Sequence, residues 1–216
     1  MLAAVLLLLT FESRISHDVR IECLLHVPPA AAKPAPVILY LHGGSARGDL
    51  AKHRSMGLPA RLAKEKDFPF IVVAPLLPKG EIWTNDRELI ALLDHVLAKQ
   101  RADKTRVFVT GHSMGGRGAL YLAYKHPERF AGVAALSAVS PIAHWATKLK
   151  DVPLFYIHGA KDVQAPVADA DELMVAIRNA GGDFKYDRYP DRDHFLLDLY
   201  DRNDIFDWLL EHRRRK

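Results

Sequence analysis

Residues 106–124 spell out a strand, an abrupt turn and a helix with a serine at the apex. Arg106-Val107-Phe108-Val109-Thr110 is apolar and rich in β-branched residues. Gly111-His112-Ser113-Met114-Gly115 follows, and Gly116 to Tyr124 carries a helical pattern. Such a turn holds its serine in a strained backbone conformation with the hydroxyl thrust above the strand ends. The glycines at 111 and 115 suit it because a Cβ at either position collides across so tight a turn. The serine also opens the next helix, where free backbone N–H groups receive negative charge. The plain alternative is a glycine-rich turn with an N-cap serine. The strand before it and the helix after it select the strained turn.

Around this feature, apolar runs alternate with helical ones. Phe11 to Ile15 and Val19 to Val27 flank a Ser16-His17-Asp18 turn and read as an antiparallel hairpin. Pro28 to Pro36 is an Ala/Pro-rich exposed connector. Val37 to Leu41 and Phe70 to Ala74 are short and wholly apolar, as strands are when both sheet faces are covered. Glu88 to Gln100 places Leu89, Leu92, Leu93, Val96 and Leu97 at helical spacing. Two more buried strands are expected at Gly132 to Leu136 and Leu154 to Ile157. A helix from Asp169 to Asn179 is stopped by Gly181-Gly182. Phe184 to Tyr189 is the last strand and Asp201 to Arg213 the closing helix. The order implies an α/β fold: a mostly parallel sheet behind an N-terminal antiparallel hairpin, with helices on both faces.

At 216 residues the chain suits one domain, 1–216. Its formal charge of +4 is modest and gathers at Arg213-Arg214-Arg215-Lys216, which reads as a solvated helix end. No broad basic face with interleaved aromatics suggests nucleic acid as a partner. The single cysteine, Cys23, excludes an intramolecular disulfide and reads as a packed thiol. Leu2 to Leu9 reads as a first strand or short packed segment rather than the remnant of a secretion signal. It lacks a basic leader and a small-residue cleavage site, and it is too short to span a bilayer. That favours a cytoplasmic over a secreted protein. The oligomeric state is not legible.

In such a sheet, chemistry gathers beyond the carboxyl ends of the strands. His42-Gly43-Gly44-Ser45 follows the Val37 strand, Ser113 follows the Arg106 strand, His158-Gly159-Ala160-Lys161-Asp162 follows the Leu154 strand, and Pro190-Asp191-Arg192-Asp193-His194 follows the last. A serine needs a base to take its proton, and an imidazole needs an acceptor to fix its tautomer. His194 is the best base and Asp162 the best acceptor, with Asp187, Asp191, Asp193 and Asp198 as rivals for the acid. Among the eleven histidines no pair has the i, i+4 spacing of a zinc helix, and there is no cysteine cluster. His112 reads as packing beside the serine, His42 as a brace for its own loop, and His158 and His126 as structural.

Leu41 to Gly48, Gly111 to Gly116, His158 to Asp162 and the His194 loop together resemble the α/β-hydrolase superfamily. More narrowly they are similar to its compact carboxylesterase and feruloyl-esterase-like branch, also labelled predicted peptidase. The resemblance implies Ser113 as nucleophile, Asp162 as acid and His194 as general base, with no cofactor and no metal. It also implies an oxyanion hole from the backbone N–H of Met114 and one from the His42–Ser45 loop. Gly44 is the choice there and Ser45 the fallback. Trp83, Trp145, Ser45 and Phe195 are candidate substrate-binding residues. The segment between Leu136 and Pro153 is too short for a cap domain, which predicts a shallow pocket. The expected activity is hydrolysis of short-chain or aryl carboxylic esters through an acyl-enzyme on Ser113. A peptidase or thioesterase would use the same triad, and a non-catalytic ligand-binding protein of this fold is the remote rival.

Overall fold

A computed structural model of the protein describes residues 6–14, 18–29, 33–65 and 67–214. Among them, eight strands form one sheet. β1 (Leu7–Arg14) and β2 (Asp18–His26) are antiparallel, in register from Leu7 opposite Leu25 to Arg14 opposite Asp18. This is the hairpin expected from the sequence. Its turn residues Ser16 and His17 lie outside the described residues, as do residues 2–5 of the leucine-rich segment. Leu7, Leu8 and Leu9 belong to β1 itself.

The parallel strands are β3 (Ala35–Leu41), β4 (Ile71–Pro75), β5 (Ala102–His112), β6 (Gly132–Leu136), β7 (Leu154–Gly159) and β8 (Phe184–Tyr189). The sheet order is β1-β2-β4-β3-β5-β6-β7-β8, with β2 antiparallel to β4. From β3 the chain first crosses to β4 on one side and then returns to β5 on the other. The strand order therefore reverses between β3 and β5. A reversal of this kind opens a crevice at the carboxyl ends, where loops diverge to opposite faces.

Helices cover both faces, which explains the wholly apolar strands. α1 (Leu50–Ser55), α2 (Gly57–Leu62) and α7 (Asp204–Leu210) lie on one face. There Leu58, Leu62, Phe206 and Leu209 meet Ile38, Tyr40, Val72 and Phe108. α3 (Asp86–Lys99), α4 (Met114–Lys125), α5 (Ala146–Leu149) and α6 (Val167–Asn179) cover the other. Leu92, Leu120 and Leu173 meet Val37, Leu39, Val109 and Tyr156 there. Each fully buried Leu or Val contributes about 1.5–3 kcal/mol. The edge strand β8 is half-exposed and carries Lys185, Asp187 and Arg188, charges that discourage pairing with another chain. Cys23 is fully buried, and burial pushes its thiol up to about 12.

Two expectations need correction. The closing helix is shorter than Asp201 to Arg213: a 3-10 turn covers Leu197–Asp201 and α7 ends at Leu210. The basic run is accordingly no helix terminus. The Arg214 N–H donates to the Thr105 carbonyl (2.8 Å), and the Arg213 guanidinium reaches Asp103 (3.1 Å), tying the chain end to the start of β5. Arg215 and Lys216 lie outside the described residues. No helix among the described residues is long and apolar enough to cross a membrane.

Candidate active site

Ser113 stands between β5 and α4 with φ 58 and ψ −121, the strained conformation that the turn demands. The flanking glycines are required by contact. A Cβ on Gly111 would lie 2.4 Å from the Gly115 carbonyl group, and one on Gly115 only 1.8 Å from the Leu41 oxygen at the end of β3. Gly115 thus lets the turn press directly against the neighbouring strand. The Ser113 N–H donates to the Leu136 carbonyl (2.8 Å), which pins the turn to β6 as well.

Ser113 Oγ donates to His194 Nε2 (2.8 Å), and His194 Nδ1–H donates to Asp162 Oδ2 (2.8 Å). The three follow the carboxyl ends of β5, β8 and β7 and so meet at one end of the sheet, with β6 lying between β5 and β7. Ser113, His194 and Asp162 form a Ser-His-Asp triad. Asp162 Oδ1 accepts from the N–H groups of Gln164 (2.9 Å) and Ala165 (2.8 Å). Burial pushes this carboxyl up, but the Ala165 N–H, the His194 ring and the Gln164 N–H outweigh it and hold it below the ordinary aspartate value. It is therefore ionised and correctly placed to fix the Nδ1–H tautomer of His194.

The rival acids are engaged elsewhere. Asp187 faces Lys185 (3.5 Å), Asp191 faces Lys161 (3.2 Å), Asp193 accepts from the Phe195 N–H (3.0 Å) and Asp198 pairs with Arg192 (3.1 Å). The Asp198 pairing serves the base indirectly. Arg192 also donates to the Phe195 carbonyl (3.0 Å), clipping the loop that carries His194. Farther along, the buried Arg61 donates to the carbonyls of Tyr200 (3.1 Å) and Arg202 (2.8 Å) and lies over Phe68 and Phe206. It anchors the chain beyond that loop to α2.

His42 braces its loop as expected. Its Nδ1–H donates to the Gly43 carbonyl (2.8 Å) and its Nε2 accepts from the Leu77 N–H (3.1 Å). His126 likewise pairs with Asp86 (2.8 Å). His158 Nε2–H donates to the Ala165 carbonyl (2.8 Å) and lies 3.3 Å from Asp162 Oδ2, so it also packs against the triad acid. His112 does more than pack. Its Nε2–H donates to the backbone carbonyl of His194 (2.7 Å), holding the base's own peptide against the serine turn. Sequence offered no signal for that bond, because it joins residues brought together only by the β5-to-β8 edge.

The triad opens on a cleft of about 180 Å³ whose walls include Gly44, Ser45, His53, Met56, Gln164 and Phe195. The structure brings Ser45 and Phe195 to this cleft and leaves both tryptophans out of it. Trp83 is buried behind the His42 loop, where its indole N–H donates to the His42 carbonyl (2.9 Å). Trp145 is buried against Tyr124, Tyr121 and the Arg117 guanidinium. Among the described residues no group of three or more His, Cys, Asp or Glu side chains is placed to hold a metal ion.

A family model described as "Putative esterase" matches residues 86–183. The "Putative esterase NocK" of Nocardia uniformis subsp. tsuyamanensis is 27% identical over 154 residues, covering 64% of this chain and 43% of that protein. "Feruloyl esterase B" of Neurospora crassa is 30% identical over 140 residues, covering 58% and 46%. A crystal structure of a thermostable esterase superposes with a TM-score of 0.80 at 23% identity, over 96% of this chain and 63% of that one. The chain has an esterase-like α/β-hydrolase fold. It spans less than half the length of the curated relatives it matches. Within this α/β-hydrolase fold the serine turn, the acid and the base follow the strands β5, β7 and β8, giving the chain order Ser, Asp, His that this architecture uses.

Proposed function

We propose that the protein hydrolyses carboxylic esters through an acyl-enzyme on Ser113. The observation that carries this reading is the unbroken hydrogen-bonded chain from Ser113 Oγ through His194 to Asp162. His194 Nε2 takes the Ser113 proton as Oγ attacks the ester carbonyl, and Asp162 stabilises the imidazolium. The tetrahedral oxygen is held by the N–H groups of Met114 and Gly44. Met114 is the first residue of α4, so its N–H has no intrahelical acceptor. The Gly43 carbonyl is committed to His42 Nδ1–H and to the Ala46 N–H (3.3 Å), and in a trans peptide the Gly44 N–H points the opposite way. Each such donor contributes about 3 kcal/mol to the transition state. His194 then protonates the leaving alcohol, and water repeats the sequence to free the acid.

Short-chain or aryl esters are the favoured substrates. A cleft of about 180 Å³ suits them, and the segment between β6 and β7 is too short to form a cap over it. Phe195, 58% exposed beside His194, offers an aromatic face at the cleft. The test is fluorophosphonate labelling followed by a panel of p-nitrophenyl esters, with amide and thioester analogues alongside. Wild type is expected to label and to prefer acetyl and butyryl esters. Ser113→Ala is expected to lose labelling and about 10⁴-fold or more in kcat. An unlabelled wild type, or a fully active variant, refutes the mechanism; a preference for long acyl chains refutes the substrate range.

A further inference from the structure

His53, on α1, is 1% exposed and lies in the wall of the cleft that holds Ser113. Its Nε2 faces the Ala74 carbonyl at 2.9 Å, so that nitrogen carries the hydrogen and Nδ1 presents a bare lone pair. No donor of the described residues reaches Nδ1. None of the polar neighbours donates to it. His42 uses both ring nitrogens on Gly43 and Leu77, the Tyr40 hydroxyl oxygen accepts from the Leu58 N–H, and the Ser45 hydroxyl faces the Met56 sulfur. A buried acceptor without a donor is costly, and a molecule that binds in the cleft is one source of the missing donor. Of the four buried polar side-chain atoms left without partners among the described residues, His53 Nδ1 alone belongs to a residue of this cleft.

We propose that His53 Nδ1 is a specificity determinant that accepts a hydrogen bond from a hydroxyl group on the substrate. The preferred esters are therefore those whose acyl or alkoxy part bears a hydroxyl within reach of α1, over their deoxy counterparts. This rests on the hydrolase reading above and narrows its substrate class. A site that pairs a substrate hydroxyl discriminates against the analogue lacking it, because the protein atom is then left buried and unpaired.

The experiment compares kcat/KM for matched hydroxylated and deoxy esters, with hydroxyls at successive positions on aliphatic and phenylpropionyl chains. His53→Leu is the informative variant: it removes the Nδ1 acceptor and leaves no other lone pair on that side chain. In wild type at least one hydroxylated partner is expected to be favoured by about 10- to 100-fold, and in H53L that ratio collapses to about threefold or less. A second measurement needs no variant. The ¹⁵N resonance of His53 Nδ1 in the wild-type protein is expected to move on saturation with the hydroxylated acid product and to stay put with the deoxy acid. Equal rates for every pair with no such movement, the mark of a bound water only, overturn the proposal. So does a preference that survives in H53L. A wild type that takes no fluorophosphonate label overturns the hydrolase reading instead, and the resonance still decides the His53 site.

Discussion

Acid weakens this fold through histidines that are buried neutral. His53 and His112 are 1% and 3% exposed, and burial holds both down to about 4. In the unfolded chain each titrates near 6.5. Between these values the unfolded state binds a proton that the folded state refuses, so stability is full above pH ~6.5 and falls as pH drops towards ~4. For one such group, moving from about pH 8 to pH 5 removes about 2 kcal/mol, and the pair removes about 4 kcal/mol. His26, His42 and His158 are lowered by burial as well and act in the same direction. Asp162 and Asp198, held below their ordinary value, add their own loss only at still lower pH. Against a typical total of about 5–15 kcal/mol, the histidines alone remove a large fraction. Urea unfolding at about pH 8, 6 and 5 measures it through the midpoint and slope. The double variant His53→Gln, His112→Gln keeps an N–H donor at each position without the titration, and it is expected to recover most of the lost slope with pH. Equal wild-type stability at pH 8 and 5, or the same decline in the double variant, refutes the reasoning.

Asp162→Asn preserves the shape of the acid but favours the wrong His194 tautomer; a loss of about 10⁴-fold in kcat is expected in steady-state assays, with KM little changed. Gly115→Ala forces a Cβ to within 1.8 Å of the Leu41 oxygen. It is expected to destabilise by about 3 kcal/mol or more, seen as a lower melting temperature together with lost fluorophosphonate labelling. Phe195→Ala removes the exposed aromatic face and is expected to raise KM for aryl esters about fivefold. Trp145→Phe, outside the cleft, is expected to leave the acyl-chain preference unchanged, as an ester panel reads directly.

Local chemistry made much of the architecture readable. β3 and β4 announced themselves as wholly apolar because both faces are covered, and α3 through its 3.6-residue apolar period. α1 and α2 did not, because Gly57 and Pro59 break up what are two short helices, each leaning on the sheet rather than on its own propensity. The closing helix was overread for the opposite reason. Helical spacing ran on past Leu210, but Arg213 and Arg214 find better partners at Asp103, Thr105 and Glu128 than another turn would provide. The tryptophans show the same limit. A large aromatic in a loop after a strand suits either a pocket or a prop, and only the hydrogen bond from Trp83 to His42 and the stack of Trp145 on Tyr124 decide for the prop.

The sequence by itself determined the strained serine turn, the parallel sheet and the chain order of Ser113, Asp162 and His194, because steric limits and hydrophobic periodicity act over neighbouring residues. The tertiary structure alone decided which aspartate meets the base, that His112 holds the His194 carbonyl, and that His53 is a wall residue of the cleft whose Nδ1 is buried without a donor among the described residues. Each of these depends on atoms far apart in the chain, and only the packed sheet, whose order reverses between β3 and β5, brings them within hydrogen-bond range or into one cleft.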